Sequence, residues 1–384
     1  KLSAMPNAGA PALVDGRYVY LCTPEYMASY ARRFLAAGVT MVGGCCGTTP
    51  AHIRNLVRSV RMLQPAQATA TVLPPARPRE APTPIARDDK SALARKMRRK
   101  FVVSIELDPP KGADPGPLLD RAQYCKEREI DCINVGDGPR ASARMSAASL
   151  CLLLEKQVGI DTILHYTCRD RNLLSMQSDL LGAHALGLRN VLAITGDPPK
   201  LGDYPDATAV YDVDSIGLIR IMDHLNHGCD LAGNLIGPAL SLHIGCGADP
   251  GRPDYDKELR RLEQKVEAGA EYIMTQPVYD PRAIERFLND IRHLDTPVLV
   301  GILPLYSHRN AEFLHNEVPG MSVPEDIRER MRLSGGGEKA QAEGVAIAQE
   351  ALRASRDVAQ GVYIMPPFNK VELALRVVDA LEGE

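Results

Sequence analysis

The sequence predicts an α/β chain in which eight parallel strands close into a (β/α)8 barrel. Three observations lead there. From residue 101 onward short apolar runs recur eight times, helical patterns separate them, and each run ends near a polar residue and a loop. Eight similar units in about 280 residues suit closure better than a doubly wound open sheet.

In order, the predicted strands span residues 101–107, 131–136, 162–167, 191–195, 239–245, 271–276, 297–303 and 361–365. Helical periodicity covers 117–128, 176–187, 256–268 and 282–292 between them. The stretch Asn190-Val-Leu-Ala-Ile-Thr-Gly-Asp-Pro-Pro-Lys200 shows the repeating unit most clearly. Its apolar run is stopped by Gly-Asp-Pro-Pro. On a period of two, Asp197 shares a face with Val191, Ala193 and Thr195.

Upstream, residues 24–37 read as a helix, 39–42 as a strand, and 50–63 as a second helix capped by Thr48 or Thr49. The strand runs into Gly43-Gly-Cys-Cys-Gly-Thr-Thr-Pro50. Adjacent thiols at Cys45 and Cys46 suit zinc, which is satisfied by soft sulfur ligands, but zinc needs at least three protein ligands. A pair of buried structural cysteines in a glycine turn is the other reading, and spacing leaves both open. Residues 64–90 read as a linker, with prolines at 65, 74, 75, 78, 82 and 84 and few large apolar residues. That composition cannot build a core and favours extended spacing. A short helix from Ser91 to Arg99 leads into the barrel. The organisation is therefore 1–63, linker 64–90, and barrel 91–384.

Composition narrows the function classes. The 384 residues carry a net charge of −3, which offers no electrostatic footprint for nucleic acid. The longest basic run, Arg95 to Lys100, reads as a solvated helix end. No apolar run reaches the ~18 residues of a membrane span and no signal peptide opens the chain. Nine scattered cysteines favour a reducing cytoplasm. The barrel region contains no GxGxxG, P-loop or HExxH pattern, which disfavours Rossmann dinucleotide binding, NTP hydrolysis and zinc proteolysis.

Chemistry in such barrels sits at the C-terminal ends of the strands. Those ends carry Glu106, Asp137, His165 with Thr167, Asp197, a 245–249 turn, Gln276 and Pro304. Alternation places Glu106 with Val102 and Ser104, opposite Phe101, Val103, Ile105 and Leu107, and places Gln276 with Tyr272 and Met274. Asp137 and His243 read more blandly, as residues bonded to loop backbone, and Cys168 as structural.

Two resemblances follow from motifs. Met5-Pro-Asn-Ala-Gly, Asp15-Gly-Arg and Gly43-Gly-Cys-Cys-Gly-Thr-Thr-Pro resemble the C-terminal end of a cobalamin-independent homocysteine S-methyltransferase barrel. The resemblance implies that Cys45 and Cys46 are two of three zinc cysteines, and that this tail needs a missing N-terminal methyltransferase domain to bind zinc or homocysteine. Ser104-Ile-Glu-Leu-Asp-Pro-Pro, His165-Tyr-Thr-Cys-Arg-Asp-Arg-Asn172, Ala193-Ile-Thr-Gly-Asp-Pro-Pro, Lys265-Val-Glu-Ala-Gly-Ala, Thr275-Gln-Pro-Val-Tyr-Asp280 and Gly301-Ile-Leu-Pro304 together resemble methylenetetrahydrofolate reductase, in the family's order. With the tail in front, the chain is similar to the bacterial bifunctional homocysteine methyltransferase/methylenetetrahydrofolate reductase type.

That second resemblance implies a TIM-barrel FAD enzyme that reduces 5,10-methylenetetrahydrofolate with NADH or NADPH. Glu106 would be the general acid, Asp197 would meet pterin and flavin, and Gln276 and His308 would contact folate. His165, Thr167, Thr195, Gly196, Asp197, Tyr211, Asp214 and Lys265 would line FAD. The chain departs from the family pattern at Thr195, where many members carry arginine, and at Gly247-Ala-Asp-Pro-Gly-Arg252. A zinc methyltransferase and a flavin- or folate-binding module without turnover are the competing readings. A homo-oligomer is compatible with any of them.

Overall fold

The structure, a computed structural model, describes residues 2–14, 17–61, 82–318 and 321–381. Asp15 and Gly16, the linker from 64 to 81, and the last residues of the second helix predicted in the N-terminal region lie outside the described residues. The chain divides into two compact units, Lys1–Glu80 and Ala81–Glu384.

The first unit holds β1 (Leu2–Ala4), a β2–β3 hairpin (Pro11–Val14 and Arg17–Tyr20), α1 (Pro24–Ala36), β4 (Val39–Val42) and α2 (Pro50–Arg61). Thr23 caps α1 by accepting from the Tyr26 amide, and Pro24 fits the first helical turn because its missing N–H would be unpaired there. β1 pairs in parallel with β4, and Met27, Ala31 and Leu56 bury a small core between the two helices.

The second unit begins with an extended stretch, a short turn of helix at Arg87–Asp89, and α3 (Ala92–Arg99). The barrel follows as β5 (Val102–Glu106), α4 (Gly116–Glu127), β6 (Cys132–Val135), α5 (Ala147–Leu153), β7 (Asp161–Thr167), α6 (Leu173–Leu186), β8 (Asn190–Ile194) and α7 (Ser215–Asn226). It continues with β9 (His243–Ala248), α8 (Tyr255–Glu267), β10 (Tyr272–Pro277), α9 (Pro281–Asp290), β11 (Val298–Ile302), α10 (His308–Glu317), α11 (Glu325–Leu333), α12 (Glu338–Arg356), β12 (Gly361–Ile364) and α13 (Val371–Val378). All neighbouring strands run parallel in sequence order, and β12 pairs with β5 to close the barrel.

Alternation sorts the strand residues into two cores. Val103, Ile105, Leu107, Ile133, Val191 and Ala193 face the surrounding helices, whereas Val102, Cys132, Ile163, Leu192, Tyr272, Met274, Leu299 and Tyr363 fill the axis. Leu93 and Met97, four apart on α3, complete the inner cluster and seal the N-terminal end. Ser91 caps α3 on the Ala94 amide and donates to Asn190 Oδ1 at 2.6 Å. Its basic end is held by ion pairs: Lys96 with Asp161 at 3.1 Å, Lys100 with Asp131 at 2.6 Å, and Arg98 with Asp88. No helix of the described residues is long and apolar enough to cross a membrane.

One strand differs from the sequence reading. β9 starts at His243 rather than 239, and the expected 245–249 turn is mostly strand, through Ala248. Leu240 and Leu242 are buried, but their amides bond to the Leu225 carbonyl and to Asn226 Oδ1 at α7 instead of to a neighbouring strand. Gly245 is required inside this strand, because a Cβ there would collide with the Tyr272 ring.

The Lys90–Glu271 pair, 2.7 Å apart with side chains 6% and 15% exposed, ties the start of α3 to the base of β10. Removing the lysine strands a carboxylate whose burial already raises its pKa. Lys90→Ala is expected to cost roughly 3–5 kcal/mol in urea unfolding followed by circular dichroism. The double variant Lys90→Met/Glu271→Leu should recover most of that loss, because neither charge then remains buried.

Candidate functional site

A cleft of about 860 Å³ opens where the C-terminal ends of β5 to β10 converge. Glu106, the last residue of β5, follows Val102 and Ser104 on the inward face, as alternation requires. Burial, reinforced by the negative charge of Asp108, pushes its carboxyl up to about 8. At neutral pH Glu106 therefore carries a proton.

A chain of hydrogen bonds crosses the inner wall beside it. Asn134 Nδ2 donates to Ser104 Oγ at 2.9 Å, and Ser104 donates to the Val362 carbonyl at 3.2 Å. Asn134 Oδ1 is left to accept from His165 Nε2 at 3.3 Å, which fixes the tautomer and leaves Nδ1 with a free lone pair. Burial lowers His165 to about 4, so the imidazole is neutral. Asn134 follows Cys132 on the inward face of β6, so alternation could have identified it.

Asp137 is fully engaged. Its carboxylate accepts from the Thr167 amide and hydroxyl, both at 3.0 Å, and from Arg171 at 2.6 Å. The bland reading of Asp137 fits this geometry. His243 is likewise satisfied, but by the Asn190 side chain and the Tyr272 ring and not by loop backbone, buried at the opposite end of the barrel. Cys168 is buried, with its thiol raised to about 12.

β8 stops at Ile194, and the next three residues form one wall of the cleft. Gly196 turns with φ +92°, and a Cβ there would sit 3.0 Å from that of Thr167. This turn breaks the alternation. Val191 and Ala193 face the helices, yet Asp197 reaches the cleft, exposed and not buried. Asp197 still lines the cleft beside Thr195, with which the period of two grouped it. Thr195 Oγ1 accepts from the Ser215 amide at the start of α7, and Tyr211 donates to the Gly196 carbonyl at 3.1 Å. Asp214 caps α7 and pairs with Arg261 at 3.2 Å. Lys265 donates to the Gly247 carbonyl at 2.7 Å.

Glu106, His165, Thr167, Thr195, Gly196, Asp197, Lys265 and Gln276 line the cleft together. Tyr211 and Asp214 stand behind it as supports. His308 is not with them; it lines a separate cavity among Glu312, Arg328 and Arg332. Cys45 and Cys46 lie in the first unit, where both are exposed, with sulfurs 3.8 Å apart. Among the described residues, no group of three or more His, Cys, Asp or Glu is placed to hold a metal. The sequence reading missed Arg169, locked to Asp170 at 2.8 Å, and the Arg252–Glu258 pair at 2.7 Å, both at the cleft wall.

Comparison with known proteins gives two family matches. Residues 91–382 match the family model of methylenetetrahydrofolate reductase, and residues 1–60 match that of homocysteine S-methyltransferase. The chain is 27% identical over 234 residues to a probable methylenetetrahydrofolate reductase (NADPH) of Caenorhabditis elegans, covering 58% of this chain and 33% of that protein. It is 28% identical over 218 residues to a probable methylenetetrahydrofolate reductase (NADH) of Oryza sativa subsp. japonica, covering 55% and 36%. A 5,10-methylenetetrahydrofolate reductase of Pectobacterium carotovorum subsp. carotovorum is 22% identical over 222 residues, covering 56% and 68%. The chain thus spans about a third of the length of the first two relatives.

The protonated Glu106 makes a stability prediction that needs no ligand. The native state keeps a proton that the unfolded chain releases above its ordinary carboxyl pKa, so this residue costs stability as pH rises toward about 8 and no further beyond. Glu106→Gln removes that cost. Its excess thermal stability over the parent should grow between about pH 5 and about pH 8, then level off, reaching on the order of a few kcal/mol. An excess independent of pH would show that Glu106 is ionised throughout.

Proposed function

The chain belongs to the methylenetetrahydrofolate reductase family, and from that membership we propose that it reduces 5,10-methylenetetrahydrofolate to 5-methyltetrahydrofolate, using FAD and a nicotinamide reductant, NADH or NADPH. The observation that carries the reading is Glu106, an acid held protonated on the inner wall of a cleft at the barrel mouth.

The cleft suits FAD. Gly247 leaves open space where a side chain would stand and Gly196 adds no side chain, so a flat ring could approach the backbone there. Lys257 and Lys265 bring positive charge to the cleft wall, which suits an anionic group, while the amides that open α7 are already taken by Asp214 and Thr195. His165, Thr167, Thr195, Gly196, Asp197 and Lys265 would hold the group, with Tyr211 and Asp214 supporting them. When bound, FAD supplies hydride transfer between nicotinamide and folate.

The remaining steps belong to the protein. Glu106 gives its proton to a folate nitrogen as the imidazolidine ring opens, leaving a positive charge on the substrate. Asp197, an exposed carboxylate, bonds the pterin, and Gln276 orients the folate. Neutral His165 presents a lone pair without adding charge. Nicotinamide and folate would occupy the cleft in turn, a ping-pong scheme.

For the first unit, we propose the tail of a homocysteine S-methyltransferase domain, consistent with the match over residues 1–60. Cys45 and Cys46, joined by a third thiolate, would bind zinc there. All nine cysteines are free thiols, which favours the cytoplasm.

Stopped-flow measurement of the two half-reactions tests the reductase reading. Glu106→Gln should keep FAD and be reduced by nicotinamide at a near-normal rate, while reoxidation by methylenetetrahydrofolate falls by roughly 10²–10⁴-fold. Asp197→Asn should slow the folate step and raise the flavin potential, because a nearby negative charge is lost. Equal slowing of both half-reactions in Glu106→Gln would move the acid elsewhere. A parent protein whose reduced flavin ignores methylenetetrahydrofolate would be a binding module.

A further inference from the structure

Asp108 has no role in the reading above, yet it stands two residues beyond the acid. The ladder continues past β5 for one residue, since the Leu107 amide donates to the Asn134 carbonyl at 2.9 Å. Leu107 accordingly joins the outer core. Alternation then returns Asp108 to the side of Glu106.

The surroundings of Asp108 are unusual for a carboxylate. Its Oδ1 is buried with no hydrogen-bond partner among the described residues. Space for that oxygen comes from Gly136, where a Cβ would stand 3.3 Å away. The Asp108 amide donates to Asn369 Oδ1 at 3.3 Å, which fixes the backbone. Two cations from the segment after β6, Arg140 and Arg144, oppose the rise of its pKa through space, with no direct ion pair to it among the described residues. Arg144 is itself anchored by donating to the Pro109 carbonyl at 2.7 Å. The Arg140 guanidinium lies 6.0 Å over the Phe313 ring of α10. Among the described residues, Asp108 is the charge that acts on Glu106. Nearby, His165 is neutral, Gln276 carries no charge, and Asp137 is committed to Arg171.

We propose that Asp108 is a positioning residue for the acid, forming with Glu106 a carboxyl pair that holds a single proton at the barrel mouth. This rests on the reductase reading for its purpose, not for its existence. Two buried carboxyls on one face of the chain, each feeling the other's charge, cannot both ionise readily. Burial raises both, and the arginines oppose this at Asp108, so the shared proton is held more firmly on the Glu106 side. The step balances. Glu106 loses one proton to the substrate nitrogen as the ring carbon–nitrogen bond breaks, the substrate gains one positive charge, and the pair passes from one negative charge to two. The two carboxylates then face the cation they helped create, and solvent returns the proton to Glu106.

The test is carboxyl-carbon NMR of the full chain labelled at glutamate Cδ, with the Glu106 resonance assigned by its loss in Glu106→Gln. In the parent, Glu106 should titrate near 8. In Asp108→Asn its midpoint should fall by about one pH unit or more. Asp108→Ser should do the same and guards against an effect peculiar to the amide. The pH profile of the folate half-reaction should move down with the NMR midpoint, which a purely structural role for Asp108 would not produce. A Glu106 midpoint unmoved in both variants overturns the pair, as does an ordinary carboxylate midpoint in the parent. A midpoint that moves in a protein unable to reduce methylenetetrahydrofolate keeps the pair and removes the reductase reading.

Discussion

Closure of the sheet leaves every second strand residue with nowhere to go but the barrel axis. That confined column decides most of what the second unit can do. Its lower part is apolar, with Leu93 and Met97 driven up from α3 beneath Val102 and Leu192. Its upper part turns polar at Ser104, Asn134 and His165, each bonded to the next. Glu106 stands at the top of this gradient, where protein packing removes most of the water while the cleft still admits a ligand. Such a position raises a carboxyl pKa without placing the group beyond reach of substrate.

The electrostatics of the mouth follow a division between anchored and free charges. Arg171 and Asp137 neutralise each other while fixing Thr167, and Arg169 is spent on Asp170 and on loop carbonyls. His165 is uncharged. What remains for chemistry is the protonated Glu106, the exposed Asp197 and the amide of Gln276. On the strand-end side the site thus presents few free charges, while α8 brings Lys257 and Lys265 to the opposite wall.

Much of this was legible in the sequence because strand ends are punctuated. Gly-Asp-Pro-Pro after β8 and the Glu-Leu-Asp-Pro-Pro run at β5 mark where ladders stop, and alternation then orients Glu106 and Gln276 correctly. The same rule failed where its premise failed. β8 ends one residue early and Gly196 turns the chain, so Asp197 reaches the cleft from a loop and not from the strand that counting by two extended to it. At β9, buried Leu240 and Leu242 looked like strand but satisfy their amides on α7. His308 was placed by motif order alone, and motif order does not set the direction of a side chain at the first turn of a helix. Asn134 and Asp108 were visible to alternation but carried no signal marking them as polar partners of a site.

The β12–β5 seam has a further consequence, for synthesis. β5 is the first barrel strand to be made and β12 the last, about 260 residues later, yet each is the other's neighbour. Until β12 arrives, β5 offers an open edge, and α3 has only a partial cavity in which to lodge Leu93 and Met97. The nascent chain therefore carries an exposed strand edge and an unseated apolar helix at the same end for most of its translation. A holding chaperone would meet the protein there.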